Sequence, residues 1–320
     1  MSEEYLWDRS GPPDPDVERL ERALAPLRYR HVPELVREAR RKPRTWWAAA
    51  AAAVLAAVGL SQLTAPPAPP TAWQVASVEG PAQLGSQDAA VSMALRRGQV
   101  LRTGRASQLT LEADEVGKMD IGPDSELRAT TNRQVLLRRG VLHAFIWAPP
   151  REFVVDTPSA RAIDLGCEYT INVDGSGNGL LRVAMGWVAF QFADHESFIP
   201  AGAECVTRQR EGPGIPFYAD APEPLRRGVA AWERGNSTAL GGILAAARPR
   251  DGLTLWHLLA RVPAPDRGPV FDRFAQLVSL PAEVSRDAVL HKDGRMMDLC
   301  WNALDLENTD WWRGWERKWR

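Results

Sequence analysis

The side chains of this 320-residue chain that could ligate a metal, or pair a nucleophile with a base, are few. Cys167, Cys205 and Cys300 do not have zinc-type spacing. His31, His143, His195, His257 and His291 fall in different segments. No G-x-S-x-G, H-E-x-x-H or S-x-x-K pattern provides an activated nucleophile or a metal-binding pair. The expectation is a protein without enzymatic activity, cofactor or metal. His143 alternates with Val141 and Phe145 and reads as a hydrogen-bonded core or rim residue. The run "DGSGNG" from Asp174 to Gly179 begins as a calcium loop would. Its twelfth position is Met185, where a bidentate glutamate is required, so a hairpin turn is the better reading.

The elements that hold these residues change character along the chain. From Trp46 to Leu63 there are 18 residues without a charge, eight of them alanine. As a helix they would run about 27 Å, close to the bilayer core of about 30 Å. Seven basic residues and two acidic ones lie between Arg28 and Arg44. That asymmetry predicts a single membrane span with the N-terminus in the cytoplasm and the rest extracytoplasmic, at the inner membrane. The near-neutral net charge of -1 argues against a dedicated nucleic-acid binder, and no nucleic-acid partner is expected. Outside the membrane a Cys167–Cys205 disulfide is expected; two reduced, buried thiols are the alternative.

Before the span, "DPDVERLERAL" predicts a short helix with Val17, Leu20 and Leu24 on one face. That stripe is a candidate docking surface for a cytosolic protein. The alternative is a solvated anchor arm. After the span, residues 65–72 read as a Pro-rich linker and 73–218 as short strands. In "AIDLGCEYTINVD" the apolar positions Ile163, Leu165, Cys167, Tyr169, Ile171 and Val173 alternate with more polar ones. Leu181, Val183, Met185 and Trp187 alternate in turn, and the phase shifts at Gly186, which predicts a bulge or bend. "RRGQVL", "RRGVLH" and "AMGWVA" echo one another at spacings of 42 and 46 residues, a hint of repeated strand pairs. Residues 219–320 read as helices broken by prolines and end in "WWRGWERKWR", where Trp311, Trp315 and Trp319 share a face.

The predicted fold class is thus a mainly β extracytoplasmic domain of twisted antiparallel sheets or a short β-solenoid. One transmembrane helix and a helical C-terminal region complete it. The expected boundaries are 1–44 for the cytoplasmic arm, 45–64 for the span, 73–218 for the β domain and 219–320 for the helices.

The stretch "FVVDTPSARAIDLGCEYTINVDGSGNGLLRVAMGWVAF", with "FIPAGAECVTR" after it, resembles the FecR domain. The matching positions are Thr157, Pro158, Ala160, Leu165, Gly166, Tyr169, Val173, Val183, Gly186, Val188, Ala201 and Gly202. The resemblance implies a single-pass, anti-sigma-factor-like regulator. Its all-β domain would sense a protein partner or envelope signal, and its cytosolic segment would act on a sigma factor. Residues 1–44 do not clearly match that family's cytosolic segment. An envelope scaffold, with the N-terminal arm serving only as an anchor, is the competing expectation.

Overall fold

The structure is a computed structural model. It describes residues 73–193 and 195–306, together with Arg19 and Arg22. The chain divides into two units, residues 1–65 and 66–320, and every element below belongs to the second.

The strands of the first half are β1 (Trp73–Glu79), β2 (Ala82–Leu84), β3 (Gln87–Asp88), β4 (Ala94–Leu95), β5 (Val100–Thr103), β6 (Gln108–Ala113), β7 (Gly117–Ile121), β8 (Glu126–Ala129) and the long β9 (Gln134–Ile146). The second half adds β10 (Val154–Asp156), β11 (Arg161–Asp164), β12 (Glu168–Val173), β13 (Gly179–Met185), β14 (Trp187–Phe192), β15 (His195–Pro200), β16 (Ala203–Arg208), β17 (Gly212–Pro213) and β18 (Phe217–Tyr218). They pair in two sheets. Sheet A runs β4-β1-β6-β7-β9-β12-β13-β16, with β17 and β18 both on the outer edge of β16. Sheet B runs β3-β2-β5-β8-β9-β10-β11-β14-β15. All pairs are antiparallel except β9–β10.

The chain passes between the sheets again and again, and two crossings show why glycine is needed. Gly140 lies inside β9, where the strand leaves sheet B for sheet A. Its φ is +98°, and a Cβ there would overlap Ser125. Gly186 separates β13 in sheet A from β14 in sheet B. Its φ is +73°, and a Cβ would overlap the Gly166 carbonyl oxygen. A left-handed conformation and a backbone this close both exclude larger residues. The echoed "RRG" and "AMG" motifs thus mark crossings between sheets, with Gly98 (φ +82°) between β4 and β5 as the third.

The alternation around Ile163 also resolves into a crossing. The run forms two strands, β11 in sheet B and β12 in sheet A, broken at Gly166. Cys167, Tyr169, Ile171 and Val173 point into the core, and so does Asp164.

Six helices follow between residues 223 and 302: α1 (Glu223–Glu233), α2 (Ala239–Ala246), α3 (Gly252–Arg261), α4 (Ala264–Leu277), α5 (Arg286–Leu290) and α6 (Gly294–Asn302). They share one hydrophobic core with the sheets. Helix α3 is buried along most of its length, including Leu255, Trp256, Leu258 and Leu259. It covers the edge strand of sheet B. His257 Nε2 accepts from the Phe198 amide at 3.2 Å, and Arg261 donates to the Glu196 carbonyl at 3.4 Å. An uncovered edge would leave these backbone groups open to pairing with another chain. Trp301 of α6 packs on Trp187, Phe198 and Trp256, with ring centroids 5.9, 5.6 and 4.7 Å away.

The fold class needs correction on one point, the transmembrane helix. Among the described residues no helix is long and apolar enough to cross a membrane. The longest, α4, has 14 residues, contains Pro269 and carries four charges. At 1.5 Å per residue it reaches about 21 Å, short of a bilayer core. The expected span from Trp46 to Leu63, and the inside–outside placement that rested on it, fall outside the described residues. So do Val17, Leu20 and Leu24, and the Trp311–Trp319 stripe; Arg19 and Arg22 are helical and exposed. What the structure gives is a sheet-rich unit whose hydrophobic core is shared by six helices.

Candidate functional site: the outer face of sheet A

One face of sheet A packs into the core and the other meets solvent. Directly opposed residues of neighbouring strands project to the same side, so the strand register orders the outer face into rows. One row reads Glu112, Lys118, Phe145, Glu168, Met185 across β6, β7, β9, β12 and β13. The next reads Thr110, Asp120, His143, Thr170, Arg182, Glu204 and extends into β16.

The second row is held by polar contacts. Thr110 donates to Asp120 Oδ1 at 2.7 Å. His143 lies between two carboxylates, with Nε2 3.1 Å from Glu168 Oε1 and Nδ1 3.7 Å from Asp120 Oδ2. Arg182 donates to Glu204 at 2.8 Å. His143 therefore sits on a hydrogen-bonded rim, between two acceptors. Among the described residues, no group of three or more His, Cys, Asp or Glu side chains is placed to hold a metal ion.

The first row departs from this polar pattern. Phe145 is 40% exposed and Met185 50%, and they flank Glu168 on either side. Trp147, just past the end of β9, is 50% exposed and meets Phe145 edge-on at 5.9 Å. Its indole N–H donates to the Asp114 carbonyl at 2.7 Å, which fixes the ring. Three of the four exposed large hydrophobic side chains among the described residues lie here. Met185 is the instructive one. Simple alternation with Leu181 and Val183 puts it inside. The pairing slips between Tyr169↔Val183 and Glu168↔Met185, leaving Ala184 unmatched. That bulge turns Met185 outward. The nearby phase-shifting glycine was the available signal, but it did not say which side chain would be re-aimed.

Cys167 and Cys205 lie elsewhere, in the core. Cys167 and Cys205 are free and fully buried. Cys167 lies just before β12 and Cys205 in β16, with β13 between those two strands. Two inter-strand steps of about 4.8 Å put the backbones about 10 Å apart at least, beyond the reach of a disulfide. The expected bridge is thus not formed, and each thiol has its own neighbours. Cys167 donates to Asp164 Oδ2, and Cys205 lies 3.5 Å from the Gly214 carbonyl. Burial pushes the Cys205 pKa up to about 12 and drives that of Cys167 well above the ordinary thiol range. Thiols held protonated are poor nucleophiles.

No protein-family model and no curated protein matches the chain. Two crystal structures of a candidate anti-sigma factor from Parabacteroides distasonis ATCC 8503 are similar in part. Their TM-scores are 0.34 and 0.33, at 14% and 15% identity, over 42% of this chain. The chain spans 65% and 64% of the length of those structures. Superpositions this loose establish neither a shared fold nor a shared function.

Proposed function

We propose that this protein is a non-catalytic regulator that holds a protein partner on the outer face of sheet A. The observation that carries the reading is the Phe145–Trp147–Met185 patch, an apolar island in a row of charged residues. Aromatic side chains and methionine are the types enriched at protein interfaces, and the strongest contacts are typically aromatic anchors ringed by polar groups. A rigid sheet supplies the pre-organisation that makes such a surface effective.

A finer proposal is that the partner's binding governs a sigma factor, held by the N-terminal segment with Val17, Leu20 and Leu24. Its support is the FecR-like pattern of residues 153–208 and the apolar stripe. The mechanism would be differential binding, because a partner can shift the protein between states only by its unequal affinity for them.

The test is transcriptional. A Phe145→Ser/Trp147→Ser double variant should accumulate and melt like the parent, since both side chains are already half in solvent. It should nonetheless reproduce the transcript changes of a deletion strain. If the deletion alters transcription and the stable double variant behaves as wild type, the sheet face is not the regulatory surface. Retention of a sigma factor by residues 1–44, and its loss on Leu20→Asp, tests the finer proposal separately.

A further inference from the structure

A cleft of about 350 Å³ opens where the β16–β17 turn meets the C-terminal ends of α1 and α3 and the α5–α6 junction. Its charged lining is Arg208, Arg261, Lys292, Glu211 and Glu233, and Trp232 contributes an aromatic wall. Cleft volumes of about 300–1,000 Å³ are those that take small molecules.

The charges do not cancel locally. Glu233 is fully engaged: Oε1 accepts from the Ile215 amide at 2.5 Å and Oε2 from Arg208 Nη1 at 2.8 Å. Glu211 stands at the rim, its side chain 63% exposed and 4.0 Å from Arg208. Arg261 is the contrasting case. It is half-buried, and its hydrogen bonds go to the Pro213 carbonyl at 2.8 Å, Ser197 Oγ at 2.7 Å and the Glu196 carbonyl at 3.4 Å. None of these acceptors is a carboxylate. Burial pulls the Arg261 pKa below the ordinary guanidinium range, with Glu233 opposing the fall.

Lys292 adds an independent observation. It follows the C-cap of α5 with φ +58°, in the left-handed region. The Asp293 amide bonds to the Ala288 carbonyl and the Lys292 amide to that of Val289. This is a Schellman ending, and its left-handed position is ordinarily glycine. Helix α1 shows the usual solution, with Gly235 at φ +91° just beyond its C-cap. At the end of α5 the chain instead places a lysine, at a conformational cost, and that lysine lines the cleft. Among the described residues that side chain makes no hydrogen bond and no ion pair. A strained residue that lines a cavity is a candidate for a role there.

We propose that this cleft binds a small organic oxyanion, a carboxylate or a phosphate monoester carried on a flat apolar body. Lys292 and Arg261 meet the oxyanion, and the Trp232 ring packs against the body. Charge-assisted hydrogen bonds to an oxyanion are the strong class, and a guanidinium and an ammonium on adjacent walls suit either acid. The site is distinct from the outer face of sheet A, so a partner and a small molecule can act on the same unit from different surfaces.

The experiment titrates the full chain with phenyl phosphate and, separately, with benzoate, following heat of binding and amide shifts. Saturable binding of one or both is expected, and the preferred probe tells phosphate from carboxylate. Lys292→Gly should weaken binding about tenfold, as loss of one charge-assisted contact does, while its melting temperature holds or rises because glycine relieves the backbone. Lys292→Gln keeps the backbone strain and removes only the charge, and it should weaken binding similarly. An absence of saturable binding of both probes at about 10 mM, a very weak affinity, overturns the proposal. So does unchanged affinity in either Lys292 variant.

Discussion

Replacing Trp301 with alanine is expected to destabilise the protein by about 4 kcal/mol, within the usual range for deleting a fully packed aromatic side chain. Trp301 is 4% exposed and joins both layers of the unit. Its ring meets Trp187 of β14, Phe198 of β15, and Trp256 and His257 of α3. The Trp256 indole N–H in turn donates to the Met297 carbonyl at 3.1 Å, tying α3 to the helix that carries Trp301. Removing the ring leaves a cavity walled by rigid aromatic groups that cannot collapse to fill it, which is the costly case. Urea unfolding would read the effect as a lowered midpoint with the slope preserved. Trp301→Phe should keep more than half of the lost stability. A cost below about 1 kcal/mol, the level of an ordinary surface or tolerant site, would mean that the helical layer is not anchored through this residue.

Asp164→Asn is expected to change the pH dependence of stability by a similar amount. Asp164 is fully buried at the end of β11. Desolvation pushes its pKa up to about 7, against the hydrogen bonds from Cys167 and the Gly166 amide, which favour the ionised form. The folded state therefore prefers the protonated carboxyl. That preference contributes fully below the unfolded pKa of 3.8 and is lost as pH rises through about 7. His257 has the opposite sign. Burial lowers its pKa to about 3, so its contribution is complete above the unfolded value of 6.5 and is lost as pH falls through 3. Between about pH 4 and 6.5 the two slopes nearly cancel, each about 1.4 kcal/mol per pH unit. The asparagine variant keeps an acceptor for the Gly166 amide and loses the titration. Relative to wild type it should gain about 4 kcal/mol between pH 4 and pH 8. Measuring both proteins by urea unfolding across that range cancels the other carboxylates. A difference that does not vary with pH would show that Asp164 is not the buried acid described here.

Part of the strand pattern, though not the order of strands in the two sheets, could be read from residue order. The alternation of Tyr169, Ile171 and Val173 reflects a strand with one buried face, and the phase shift at Gly186 reflects a change of sheet. Asp164 was not legible. In a period-two pattern it falls on the solvent side with Glu168 and Thr170. It becomes buried only because the chain turns at Gly166 and closes against Gly186, a contact 20 residues away in sequence. Met185 was misplaced for a related reason, since a one-residue slip reverses every side chain beyond it. The exposure of Phe145 and Trp147 was hidden because an apolar residue on an outer face looks like one on an inner face until the neighbouring strands are known. The cleft was least legible, because Arg208, Glu233, Arg261 and Lys292 come from four separate segments with no shared motif. The charge-free run from Trp46 to Leu63 was the most conspicuous signal in the chain, yet it lies beyond the described residues.

The central claim is that the outer face of sheet A carries the partner. The most direct measurement places a photo-crosslinking amino acid at position 147, at position 185, and at the exposed helical-side position Glu283 in cells that make the protein at its normal level. Positions 147 and 185 should yield the same discrete crosslinked protein, and position 283 should not. Crosslinks at 147 and 185 that are absent, or no different from those at 283, would contradict a docking role for this face.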